Sequence, residues 1–102
     1  MKTILILVGM TLMWHALNAQ NKLTGKITEQ TTSEAITGAM VYFPDLKTGT
    51  VSDTTGSYKV DNLPQAKVTV EVIYLGYKTI VEQVNLKTTK SLNFVMEHSI
   101  TI

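Results

Sequence analysis

After residue 20, apolar and polar side chains alternate with a period of two along most of the chain. A period of two places successive side chains on opposite faces of an extended strand. Leu23 and Ile27 fall on one face of Leu23–Glu29, with Thr24, Lys26 and Thr28 on the other. Ala39–Phe43 is apolar at every position, as expected of a central strand buried on both faces, and Pro44 ends it. Thr50–Asp53 and Ser57–Asp61 read as a hairpin, with Tyr58 and Val60 pointing inward. Its link is Asp53-Thr54-Thr55-Gly56, where Asp at the first position and Gly at the fourth suit a type I turn. Asn62-Leu63-Pro64-Gln65 reads as a further turn, with Pro64 as the breaker.

Val68–Leu75 carries the strongest alternation, with Val68, Val70, Val72 and Tyr74 on one face. Gly76-Tyr77 breaks or bulges it. Thr79–Leu86 has mixed periodicity and leaves its facing open. Ser91–Glu97 points Leu92, Phe94 and Met96 inward. Seven short strands separated by turn signals every 8–12 residues or so indicate an all-β antiparallel sandwich or a small barrel, and the length favours a seven-strand sandwich in two sheets.

The first 20 residues break this pattern. Lys2 is followed by an almost unbroken uncharged apolar run from Ile4 to Trp14, then by Leu17-Asn18-Ala19-Gln20. That order describes a secretory signal peptide, with cleavage expected between Ala19 and Gln20. The run is too short to span a bilayer, which takes about 20 apolar residues. The expected organisation is therefore a leader at 1–19 and one β-sandwich domain at 20–102. Cleavage of the 102-residue chain after Ala19 leaves 83 residues, of which 29 are Thr, Val or Ile. These side chains favour pleated sheet.

Composition narrows the chemistry. With no Cys, neither a disulfide framework nor a Cys-based zinc module is available. The nine basic residues are all Lys, and eight carboxylates are interleaved with them. No basic patch results, so nucleic acid is not an expected partner. His98 is the only His left after leader removal and lacks companions for a metal or nucleophile site. Asp45, Asp53 and Asp61 recur every eight residues without a calcium-loop spacing, and read as turn formers. Gly49 and Gly56 precede no helix, so a phosphate cradle is not supported. Tyr58 and Tyr74 read as core, while Tyr77 is the tyrosine expected at the surface. No catalytic, cofactor-binding or metal residue is assigned. The residues singled out are the turn formers Asp53, Gly56, Pro64 and Gly76.

Four ordered segments carry a family resemblance: Leu23–Thr28, Ile36–Phe43, Gly49–Val60 followed by Asn62-Leu63-Pro64, and Val72–Thr79. Together they resemble the carboxypeptidase regulatory-like domain, which implies a transthyretin-like (prealbumin-like) Greek-key sandwich. With the leader, and with Tyr74-Leu75-Gly76-Tyr77-Lys78-Thr79, the chain is similar to the N-terminal extension of TonB-dependent outer-membrane receptors of the Bacteroidetes type. The resemblance implies a non-catalytic periplasmic domain ahead of a plug and barrel that import siderophores, glycans or other nutrients. The implied partners are that plug and barrel, and periplasmic or TonB-complex proteins. Since neither plug nor barrel is present in the sequence, the expectation is a fragment of such a receptor. The alternative is a freestanding secreted adhesion or carbohydrate-binding sandwich.

Overall fold

The structure is a computed structural model that describes residues 21–99. The leader and its Ala19–Gln20 cleavage position lie outside the described residues. Seven strands follow in chain order: β1 Asn21–Glu29, β2 Met40–Phe43, β3 Thr48–Val51, β4 Ser57–Leu63, β5 Lys67–Ile73, β6 Ile80–Asn85 and β7 Phe94–Met96. They form a three-stranded sheet in the order β4-β1-β7 and a four-stranded sheet in the order β3-β2-β5-β6. The chain is the all-β, two-sheet sandwich that its alternation predicts. No helix long and apolar enough to cross a membrane occurs among the described residues.

The core is where the two inward faces meet. Leu23, Ile27, Tyr58, Val60, Phe94 and Met96 come from one sheet; Val41, Phe43, Val68, Val70, Val72 and Val84 come from the other. All are apolar side chains at alternate positions of their strands, and the pleat delivers them to one layer. Ile36, Ala39 and Leu86 close the core from the connections.

The pairing is antiparallel with one exception: β1 and β7 run parallel, with Ile27 opposite Phe94 and Glu29 opposite Met96. An all-antiparallel arrangement is therefore corrected at this pair. The cause is connectivity, because β7 returns from the other sheet and lies along the free side of β1 in the same direction.

The expected hairpin between Thr50–Asp53 and Ser57–Asp61 is also corrected. The turn is there: the Gly56 amide donates to the Asp53 carbonyl at 2.9 Å, and Gly56 has φ +77°. But β3 pairs with β2, and β4 pairs with β1. The turn carries the chain from one sheet to the other, and the Gly56 carbonyl already accepts from the Ile27 amide of β1 at 2.8 Å. Turn chemistry is local, whereas the choice of sheet depends on which neighbour covers the buried face.

Asp53 secures this crossing. Its Oδ1 accepts from the Thr55 amide at 2.9 Å, the Ser57 amide at 3.0 Å and the Thr55 hydroxyl at 2.7 Å. The Thr55 hydroxyl, and then the Ser57 and Thr55 amides, hold the carboxyl below its ordinary range. Hydrogen bonds to the charged form cause that shift. On the other side of the crossing Ser52 is buried. Its hydroxyl donates to the Ile36 carbonyl at 2.6 Å and accepts from the Ala39 amide at 3.0 Å. Ser52→Ala leaves both buried backbone groups unpaired, which costs about 1–3 kcal/mol. A matching fall in the urea-unfolding free energy checks it.

Strand boundaries shift by a few residues, and the shifts in β4 and β5 change which side chains are inward. β4 runs on through Asn62 to Leu63 rather than turning at Asn62, and Asp61 lies within the strand. The register slips between the Asn21–Leu63 and Leu23–Val60 pairs, and Asn62 takes φ +58° at that bulge. The bulge keeps Leu63 in the core, and Pro64 follows directly. β5 stops at Ile73, so Tyr74 leaves the alternation and is 36% exposed rather than inward. β2 is central in its sheet but buried on one face only, with Met40 44% exposed on the other. β6 resolves its mixed pattern as an edge strand: Val84 is buried and Val81 faces outward.

Tyr58 ties the last strand region to the first sheet. Its ring lies 6.0 Å from that of Phe94, and its hydroxyl donates to the Leu92 carbonyl. Burial pushes this phenol upward from its ordinary value. The folded state thus holds the proton more tightly than the unfolded chain. The stability it contributes is complete below the unfolded pKa of about 10 and is lost as pH rises above it. The urea midpoint is expected to fall as pH is raised above about 10, and Tyr58→Phe removes that component.

Candidate functional site

The end of the sandwich nearest the β5–β6 turn brings together residues far apart in sequence. At Tyr74-Leu75-Gly76-Tyr77 the Tyr77 amide donates to the Tyr74 carbonyl at 3.1 Å, closing a four-residue turn. Gly76 occupies its third position at φ +88°, a left-handed conformation that glycine adopts without steric cost. Leu75 projects from the apex and is 95% exposed.

After β7 the chain leaves β1 and runs alongside this turn. The Lys78 amide donates to the Glu97 carbonyl at 2.8 Å, and the Ser99 amide to the Gly76 carbonyl at 3.0 Å. Residues 97–99 thereby bridge the two sheets. His98 is set between them: its ring stacks on Tyr77 at 4.3 Å, and its Nε2 lies 2.6 Å from Glu29 Oε1 at the end of β1. The other Glu29 oxygen accepts from the Thr32 hydroxyl at 2.9 Å. Tyr74 leans on Tyr77 at a centroid distance of 5.7 Å.

Beside this cluster opens a cleft of about 300 Å³ lined by Glu29, Glu34, Ile36, Thr37, Tyr74 and Tyr77. Packing raises the Tyr77 phenol, and the negative charges of Glu29 and Glu34 add to the effect. Two tyrosine rings and two carboxylates thus line the cleft. Nothing in it pairs a nucleophile with a base. No group of three or more His, Asp or Glu able to hold a metal ion occurs among the described residues.

A second surface is the outer face of the four-stranded sheet. Val51, Met40 and Ile73 stand side by side on β3, β2 and β5. All three are exposed. A shallow depression of about 410 Å³ lies over β2 and β3, between Met40, Tyr42, Gly49 and Val51. β3 is an edge strand whose four residues, Thr48-Gly49-Thr50-Val51, carry no charge.

The residues singled out in the sequence fall elsewhere. Asp53 and Gly56 stand at the sheet crossing, Pro64 after β4 and Gly76 in the turn. Asp45 accepts from the Thr69 amide at 3.3 Å, and Asp61 lies 3.9 Å from Lys59, so the three Asp do not converge. His98 is not merely a solvated side chain but is engaged on two sides. Tyr77, expected at the surface, is half-buried under it. The Glu29–His98–Tyr77 cluster has no sequence signature, because Glu29 and His98 are 69 positions apart and meet only through the parallel β1–β7 pairing.

Fold and site together define a β-sandwich module that offers surfaces and carries no catalytic feature among its described residues. The CarboxypepD_reg-like domain model matches residues 23–101, and the chain belongs to that family. No curated protein matches it in sequence. Among solved structures it is similar to a chain of a type II cohesin–X-dockerin complex from Acetivibrio cellulolyticus. That match has 18% identity and a TM-score of 0.66, over 74% of this chain and 56% of that one. It is also similar to the shaft pilin SpaA of Lactobacillus rhamnosus GG, at 11% identity and a TM-score of 0.60, over 83% of this chain and 50% of that one. A hydroxyquinol 1,2-dioxygenase from Pseudomonas putida DLL-E4 aligns at 13% identity and a TM-score of 0.59, over 79% of this chain and 57% of the enzyme. These likenesses are of fold. The chain spans a little over half the length of the first structures it matches.

Proposed function

We propose that the chain is the periplasmic N-terminal accessory domain of a TonB-dependent outer-membrane receptor that imports a nutrient such as a siderophore or glycan. One observation carries the reading: a CarboxypepD_reg-like domain over residues 23–101 directly follows a stretch, Lys2 and the apolar run Ile4–Trp14, whose order fits an export leader. In this reading the domain acts by contact. It holds the TonB-contacting segment at a distance from the barrel and offers surfaces to periplasmic proteins. The uncharged edge of β3 supports the second role, because an unprotected edge accepts a partner strand through its free backbone groups.

Fractionation tests the reading. An antibody against residues 21–99 should detect an outer-membrane polypeptide large enough to hold a plug and barrel. A domain-sized band in the medium would overturn the reading in favour of a freestanding secreted sandwich.

A further inference from the structure

We infer that the cleft at the Tyr74–Tyr77 end of the sandwich is a docking site for an arginine side chain carried on an extended, otherwise apolar segment of a partner protein. Three observations converge on that chemistry. The first is charge: Glu29 and Glu34 line the cleft and no Lys does. The Glu29 carboxylate is already engaged on both oxygens, by His98 and by the Thr32 hydroxyl. The Glu34 carboxylate meets no hydrogen-bond donor among the described residues, and it is exposed at the rim. It is the acceptor left for an incoming cation.

The second is the pair of aromatic faces. Tyr74 and Tyr77 stand 5.7 Å apart at an interplanar angle of 37° and line the cleft together with Glu34. A planar guanidinium stacks on such faces while donating two parallel hydrogen bonds to a carboxylate, which an ammonium cannot do. His98 stacks on one face of the Tyr77 ring, so this ring is held in place before anything binds.

The third is Leu75. A leucine that is 95% exposed at the apex of a tight turn buries nothing in this chain. Beside an acidic cleft it supplies the apolar contact that a peptide segment, rather than a free small cation, would cover. The surface thus fits a segment with one arginine flanked by aliphatic residues. This inference goes beyond the receptor reading and does not rest on it, since binding is measured on this chain alone.

The test uses the 102-residue chain purified from an exporting host, in the form the host yields, with isotope labelling. The probe is the capped peptide Gly-Leu-Arg-Leu-Gly, with citrulline and lysine versions as controls. The arginine peptide should give saturable amide shifts confined to residues 34–37 and 74–77. The citrulline peptide should bind roughly fivefold more weakly or not at all, with the lysine peptide between them. Glu34→Gln and Tyr74→Ala should each weaken binding by a similar factor while the rest of the spectrum stays unchanged. Glu97→Gln, whose carboxylate pairs with Lys78 outside the cleft, should bind like the parent. Equal binding of the arginine and citrulline peptides would overturn the inference. So would undiminished binding by Glu34→Gln, or no saturable shift up to about 10 mM peptide. Shifts at these amides from a neutral oligosaccharide but not from the arginine peptide would overturn it in favour of a glycan site.

Discussion

Gly25→Ala will unfold much of the population at room temperature or lower the urea midpoint more than alanine at any other glycine among the described residues. A Cβ at Gly25 would stand 1.9 Å from the Leu92 carbonyl oxygen and 2.7 Å from its carbon. Those are backbone atoms, so the clash cannot be relieved by a rotamer change. The approach is close because three contacts draw the 92–93 segment onto β1 and its neighbour β4. The Leu92 amide donates to the Thr24 carbonyl at 2.9 Å, the Lys26 amide donates to Asn93 Oδ1 at 2.9 Å, and the Tyr58 hydroxyl donates to the Leu92 carbonyl. Separating the strands to admit a methyl group breaks all three. The expected loss is about 3 kcal/mol or more, at the upper end for overpacking. Gly76→Ala is the control: its Cβ would meet nothing within 4 Å, leaving only the strain of a positive φ, about 1–2 kcal/mol. Urea unfolding of the two variants followed by circular dichroism gives the comparison directly.

Phe43→Ala is the second large effect. Phe43 is the largest of the fully buried side chains, and it ends β2 against the opposite sheet. Its removal forfeits the transfer free energy of the ring and leaves a cavity that close-packed strands fill only in part, at a cost of about 3–5 kcal/mol. A domain of this size is stable by about 4–12 kcal/mol in total, so the variant should be marginal. The expected signature is a urea midpoint reduced by a third or more. Loss of less than about 1 kcal/mol would mean that Phe43 is not packed between two sheets.

What alternation could report, it reported. Val68, Val70 and Val72, or Tyr58 and Val60, reach the core because a period of two leaves no other way to bury them. The strand ends were less legible. Asn62 looked like a turn because it tolerates a left-handed conformation, and it does adopt one, but as a bulge inside β4. Tyr74 looked like a fourth inward position because nothing local marks the point where β5 gives way to its turn. Pairing was not legible at all. The Asp53–Gly56 turn has the same residues whether its strands pair with each other or separate into two sheets. The parallel β1–β7 pair joins residues nearly the whole domain apart. The cleft depends on that pairing: Glu29 reaches His98 only because β7 lies along β1, so no window of sequence contains the site.

Met40 shows a different limit. An apolar residue on the second face of β2 suggested burial on both sides, whereas it faces outward beside Val51 and Ile73. The sequence records that a side chain is apolar but not whether this chain or another molecule covers it.

The most direct test of the proposed receptor role is ligand uptake by cells making the full-length protein, compared with the same protein lacking residues 21–99 at equal membrane abundance. An accessory module that acts through periplasmic contacts predicts unchanged ligand binding at the cell surface and reduced energised uptake. Lost surface binding, or uptake that stays at the parental rate, would contradict it.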